Sequence, residues 1–109
     1  MNISWLFLIL AGVFEICFTI ALKYSVGFTR LIPSIITVIF IAFSFFFVSQ
    51  AMKTIPIGTA YAVWAGIGAA GTVICGIVFF GDSYHILRLI SIGLIIIGIF
   101  GLKLSHVDI

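Results

Sequence analysis

A chain of 109 residues that is 64% hydrophobic and only 7% charged cannot hide its apolar surface as a water-soluble domain does. Its mean hydropathy of +1.47 points to an integral membrane protein. A net charge of +2, scattered along the chain, gives nucleic acid no basic surface to bind and argues against it as a partner.

The N-terminal residues Met1-Asn2-Ile3-Ser4-Trp5 lack the basic region and small-residue cleavage site of a secretory signal, so the first apolar run is expected to stay as a membrane helix. That run, about 3–22, has the length needed to cross the hydrocarbon core. A connection at 25–30 carries Gly27 and Arg30. The second span is expected at 31–52, with Pro33 tolerated because it falls in the first turn. Lys53-Thr54-Ile55-Pro56 breaks the chain, and a third, glycine-rich span follows at 57–80. Gly81 to His85 make the last turn, the fourth span covers 86–102, and Lys103 opens a short polar tail. Continuous apolar runs exclude the alternating pattern of a transmembrane β-barrel. The expected architecture is all-α, with four transmembrane helices in one domain, 1–109.

One carboxylate, Glu15, interrupts the first span slightly past its middle. Intramembrane acids are costly and mark functional sites by default. Helical spacing puts Ala11 and Gly12 on one side of Glu15 and Phe18 and Thr19 on the other. In the third span Tyr61 and Trp64 share a face with Gly68, and their rings suit a desolvated cation. The Tyr61 hydroxyl can donate to a carboxylate. Ser44, among Phe43, Phe45, Phe46 and Phe47, is a further polar candidate, although membrane serines often bond back to their own helix. A carboxyl held away from bulk water can carry a proton or a cation, and the two compete. That competition is the physical core of proton–cation antiport. Alternating access needs a helix that flexes, and Gly66-Ile67-Gly68 offers the kink.

Other chemistries lack residues. Cys17 and Cys75 fall inside apolar runs, with no zinc or redox spacing, and read as packing. His85 and His106 lie in a turn and the tail, far in sequence from Glu15, and no nucleophile–base or metal-ligand spacing exists. No enzyme, metal site or cofactor is expected. Asp82 and Asp108 read as solvated, and Lys23, Arg30, Lys53 and Arg88 as interface anchors.

Lys23, Arg30 and Arg88 would face one side of the membrane and Lys53 and Lys103 the other, which is almost no bias. Insertion in both orientations, and an antiparallel dimer of identical chains, is the expected consequence; a fixed orientation set by a partner is the alternative. Ser91 and Gly98, seven residues apart, offer a small-residue stripe for dimer packing, or equally for packing within one chain.

Ala11-Gly12-Val13-Phe14-Glu15, the loop Gly27-Phe28-Thr29-Arg30-Leu31 and Pro56-Ile57-Gly58-Thr59-Ala60-Tyr61-Ala62-Val63-Trp64 resemble the small multidrug resistance family over nearly the whole chain. The resemblance implies a dual-topology antiparallel homodimer in the bacterial inner membrane that exchanges protons for cations. It also implies that Glu15 is the shared proton and substrate site. Gly12, Gly66-Ile67-Gly68-Ala69 and Gly101-Leu102-Lys103-Leu104-Ser105 resemble the guanidinium exporters more than the quaternary-ammonium exporters. Guanidinium, planar and always charged, carries N–H donors matched to a carboxylate. By this resemblance Gly12, Glu15, Ser44, Tyr61 and Trp64 bind substrate. Phe18 stands where guanidinium exporters usually carry tryptophan, and Ala65 where they usually carry threonine. Both departures make the pocket more apolar, which suits substituted guanidines or hydrophobic cations. The remaining alternative is a non-transporting subunit of a small hetero-oligomeric membrane complex.

Overall fold

The computed structural model describes residues 3–105, so His106 and Asp108 lie outside the described residues. Four helices follow in order: α1 (Ile3–Tyr24), α2 (Leu31–Ala51), α3 (Ile57–Phe79) and α4 (Ile86–Ser105). Each is long and apolar enough to cross a membrane. At 1.5 Å per residue they reach roughly 30–35 Å, the thickness of a hydrocarbon core. α4 continues past the expected end at 102, so Lys103 sits on its last turn instead of opening a tail. α1 likewise continues to Tyr24, since nothing in Lys23-Tyr24 stops a helix before the turn begins.

The helices form a slab of 44 × 34 × 18 Å. α1 is the centre, lying between α2 and α3, while the α4 backbone lies beside α3 alone. Packing is uneven along the slab. Trp5, Leu8, Ala11, Val48, Ala51, Ile55, Ala60 and Val63 make one continuous buried core. Apart from Ile55 these residues belong to the first half of α1, the end of α2 and the start of α3, so the dense half of the bundle is the half near the α2–α3 connection. Ile55, 1% exposed, plugs that end from the connection itself. The hydroxyls of Ser4 and Thr54 bond across the same end. The outer faces carry exposed Ile32, Ile35, Phe46, Leu94, Ile97 and Phe100, which suit lipid and not water.

The α1–α2 turn is built on Ser25. Val26, Gly27 and Phe28 take φ values of 48, 70 and 64°, a left-handed run that two of the three residues enter against steric cost. Ser25, fully buried, compensates through bonds at both its hydroxyl and its carbonyl. Its hydroxyl donates to the Leu22 carbonyl (2.6 Å) and accepts from the Phe28 amide (3.1 Å). Its carbonyl accepts from the amides of Thr29 (2.9 Å) and Arg30 (3.1 Å). α2 then starts with Pro33 in its first turn, where a missing amide hydrogen leaves no helical bond unmade. α3 closes on Gly81 at φ 70°, which lets the chain fold back so that the amides of Phe80 (3.1 Å) and Asp82 (3.0 Å) both reach the Gly76 carbonyl.

Ser25→Ala removes the hydroxyl that ties this turn and leaves the Phe28 amide without its partner. We expect a loss of about 1–3 kcal/mol, read as a lower melting temperature in detergent, while Val26→Gly, which relieves a left-handed β-branched residue, raises it.

Candidate functional site

The site is the seam between α1 and α3. Three glycines let these helices approach until side chains of one rest on the backbone of the other. A Cβ at Gly12 would overlap Ile67, one at Gly68 would overlap Glu15, and one at Gly71 would overlap Ile16. Glu15 is therefore seated on α3 through the bare backbone of Gly68. Its Oε1 is buried and has no hydrogen-bond partner among the described residues. A buried acceptor left unmade is expensive, so the place is one a proton or a cationic donor would satisfy. Thr19, one turn further, donates to the Glu15 backbone carbonyl (2.8 Å) and not to its carboxylate.

One turn to the other side of Glu15, three helices meet at a single hydroxyl. Ser44, fully buried on α2, donates to the Ala11 carbonyl of α1 (2.7 Å). It accepts from the Trp64 indole Nε1 of α3 (3.0 Å). Ser44 does not bond back to its own helix, because the Ala11 carbonyl and the indole offer better-placed partners across the bundle. The Trp64 ring is held further by Phe45, edge-on at 5.4 Å, and by Tyr61 at 5.9 Å. The aromatic wall is thus fixed in orientation at the level of Ala11, one turn from the carboxylate.

Not every expected residue converges within one chain. Tyr61 is 59% exposed, and its hydroxyl makes no bond to Glu15 among the described residues. Phe18 is half-buried with no ring partner among them. Gly12 sits under Ile67, whose side chain rests on the bare α1 backbone. Gly66 takes the Ile99 side chain of α4 at 3.0 Å from where a Cβ would stand, so it and Gly68 serve opposite faces of an unbroken α3. Ser91 is exposed and bonds back to Leu87 (2.7 Å), and Gly98 faces open space.

Sequence reasoning missed the stack that locks α1 to α2. Phe14 lies against Phe40 (5.8 Å), Phe43 (5.5 Å) and Phe47 (5.6 Å). The 40, 43, 47 spacing was the available signal, a single stripe on one helix face. It matters because Phe14 precedes Glu15 and anchors its backbone. An apolar cleft of about 430 Å³, bounded by Trp5, Ile9, Ile67, Ile96, Phe100 and Lys103, lies between α1, α3 and α4 and does not include Glu15.

Ser44→Ala takes the acceptor from Trp64 and the donor from Ala11. With Trp5→Phe, Trp64 is the single tryptophan of a chain that has two. We expect its emission to shift to shorter wavelength and the melting temperature to fall, for a cost of about 1–3 kcal/mol.

Comparison with known proteins agrees with this architecture. A guanidinium exporter of Yersinia pseudotuberculosis is 55% identical over 102 residues, covering 94% of this chain and 98% of the relative. One of Citrobacter freundii is also 55% identical, covering 94% and 97%. One of Salmonella typhimurium is 53% identical over the same shares. The profile of the Small Multidrug Resistance protein family matches residues 3–95. This multi-pass membrane chain belongs to the small multidrug resistance family.

Proposed function

We propose that the chain exports guanidinium or small substituted guanidinium cations from the bacterial cytoplasm across the inner membrane, in exchange for protons. The observation that carries this reading is the Glu15 carboxylate, seated on Gly68 with one buried oxygen unmade. The names of the relatives support the substrate. A planar cation with several N–H donors suits that oxygen, and the Trp64 ring one turn away, with Tyr61 against it, suits a desolvated positive charge. A proton on Glu15 removes the charge that holds the cation, so each ligand expels the other.

The working unit is an antiparallel homodimer. A slab 18 Å thick cannot surround a cation on its own. A second copy would bring a second Glu15, and would cover Tyr61, Ser91 and Gly98, all of which this protomer leaves at its surface. The near balance of basic residues between the two sides supports insertion in both directions. In that cycle Gly66 and Gly68 supply the point where α3 bends.

A second reading has a specific basis. Phe18 and Ala65 remove two polar groups from the wall, which favours hydrophobic or quaternary ammonium cations. Proteoliposome flux separates the two. Guanidinium is expected to drive proton movement that Glu15→Gln reduces to background; flux with tetraalkyl- or aryl-ammonium ions alone would move the substrate to that class. If no cation drives flux and Glu15→Gln changes nothing, the chain is not this transporter.

Competition also sets the pH dependence. Below the titration point of Glu15 the apparent Kd for guanidinium should rise about tenfold per pH unit per displaced proton, and above it should be flat. Titration calorimetry at several pH values checks the sign, and a Kd that falls on acidification would contradict shared occupancy.

A further inference from the structure

A second polar feature lies on the same seam as Glu15, toward the α3–α4 connection. Residues 15, 19 and 23 form one stripe of α1, and residues 68, 72 and 76 form the facing stripe of α3, each in steps of one helical turn. Glu15 meets Gly68 at the first step. At the next two, Thr19, Lys23, Thr72, Gly76, Phe80 and Asp82 enclose a cavity of about 100 Å³. One water needs only about 10–15 Å³ of such space, and here it finds two hydroxyls and a carboxylate. Glu15 lies one turn beyond Thr19 on the same stripe, so this cavity is the polar space next to it along the seam.

Asp82 is held at the mouth by the fold. Gly81 turns the chain back, and the Asp82 amide bonds the Gly76 carbonyl at 3.0 Å. The carboxylate then lies over the bare backbone of Gly76, where a Cβ would overlap its Oδ2. This repeats, two turns away, the way Glu15 sits on Gly68. Asp82 is exposed on its outer side, so one face meets bulk water and the other the cavity. Lys23, the other charged group of the lining, places its ammonium over the Phe80 ring at 5.2 Å.

We propose that this cavity is the path by which Glu15 exchanges its proton with the aqueous side, and that Asp82 is the carrier at its mouth. The inference rests on the proton-coupled reading above. A proton taken up on an Asp82 oxygen passes to water in the cavity, and water lying against the Thr19 and Thr72 oxygens delivers a proton to a Glu15 oxygen. Asp82 returns to its anion and Glu15 becomes neutral, so charge and protons balance. Thr19 already spends its hydrogen on the Glu15 carbonyl, so its oxygen accepts from water and orients it. The cavity carries water and protons; the cation uses the aromatic side of Glu15.

The test compares two modes of transport in proteoliposomes. Guanidinium–guanidinium self-exchange needs alternating access and no net proton movement, whereas guanidinium–proton exchange needs both. Asp82→Asn should slow proton-coupled exchange roughly 10- to 100-fold, up to the contribution of a positioned proton carrier, and leave self-exchange and guanidinium Kd unchanged. Asp82→Glu should restore the coupled rate. Gly76→Ala favours the helix and keeps the charge in the connection, but its methyl displaces the carboxylate; it should slow the coupled rate in the same way, and it decides the matter should Asp82→Asn fold poorly. Coupled exchange at the wild-type rate in both variants overturns the path. Weakened guanidinium binding in Gly76→Ala also overturns it, since the cavity would then serve the cation. Wild-type protein that shows self-exchange without proton coupling would fail the parent reading instead.

Discussion

Everything at the site depends on how closely α1 can approach α3. Helices in lipid gain little from burying apolar side chains, because lipid is equally apolar, so close backbone contact has to come from small residues. Here that contact is achieved by setting Gly12, Gly68 and Gly71 opposite Ile67, Glu15 and Ile16. Two of these pairs are ordinary packing. The third puts a carboxylate into the position an isoleucine would otherwise hold. Its geometry is thus inherited from the packing on either side of it, and the acid is positioned without hydrogen bonds of its own that a ligand would have to break.

The same economy governs the aromatic wall. A tryptophan in a membrane helix can turn its indole toward lipid, another helix or the interface. Ser44 removes that choice by receiving the indole hydrogen while donating to α1. Phe14 and its stripe on α2 hold the other side of the acid's backbone. Glu15 is therefore gripped from α2 through its neighbour in sequence and from α3 through its own side chain. The dense core near the α2–α3 connection sets both grips, and the half beyond Glu15 is packed less tightly.

The four helices were legible because long apolar runs leave almost no alternative, and the boundaries differed by more than one residue only where helices ran on past a lysine. Glu15 stood out because one acid in an apolar span has no structural excuse. What could not be read was which residues of different helices would touch. Glycines were visible as small, but only the packed structure assigns Gly68 to the carboxylate and Gly66 to Ile99 of α4. Ser44 looked like a residue that would satisfy itself locally, since sequence carries no trace of the Ala11 carbonyl waiting on another helix. Asp82 looked like solvated loop for the same reason. Its placement over Gly76 follows from a glycine turn whose direction in space the sequence does not express. Tyr61 and Phe18 show the opposite limit, since helical spacing names neighbours along one face and says nothing about what that face meets.

The α4 backbone runs beside α3, where Ile95 and Ile99 meet Gly66, and reaches α1 through a side chain, Lys103 over the Trp5 ring. The remaining circumference, with Ile90, Leu94, Ile97 and Phe100, belongs to whatever lies outside the protomer. The chain thus divides by helix: α1, α2 and α3 hold the carboxylate and its seat, while α4 turns most of its surface outward. Changes on the outer face of α4 can drift with membrane composition or with a partner while the carboxylate and its seat stay untouched. Sequence change on that outward surface is uncoupled from the packing that holds Glu15.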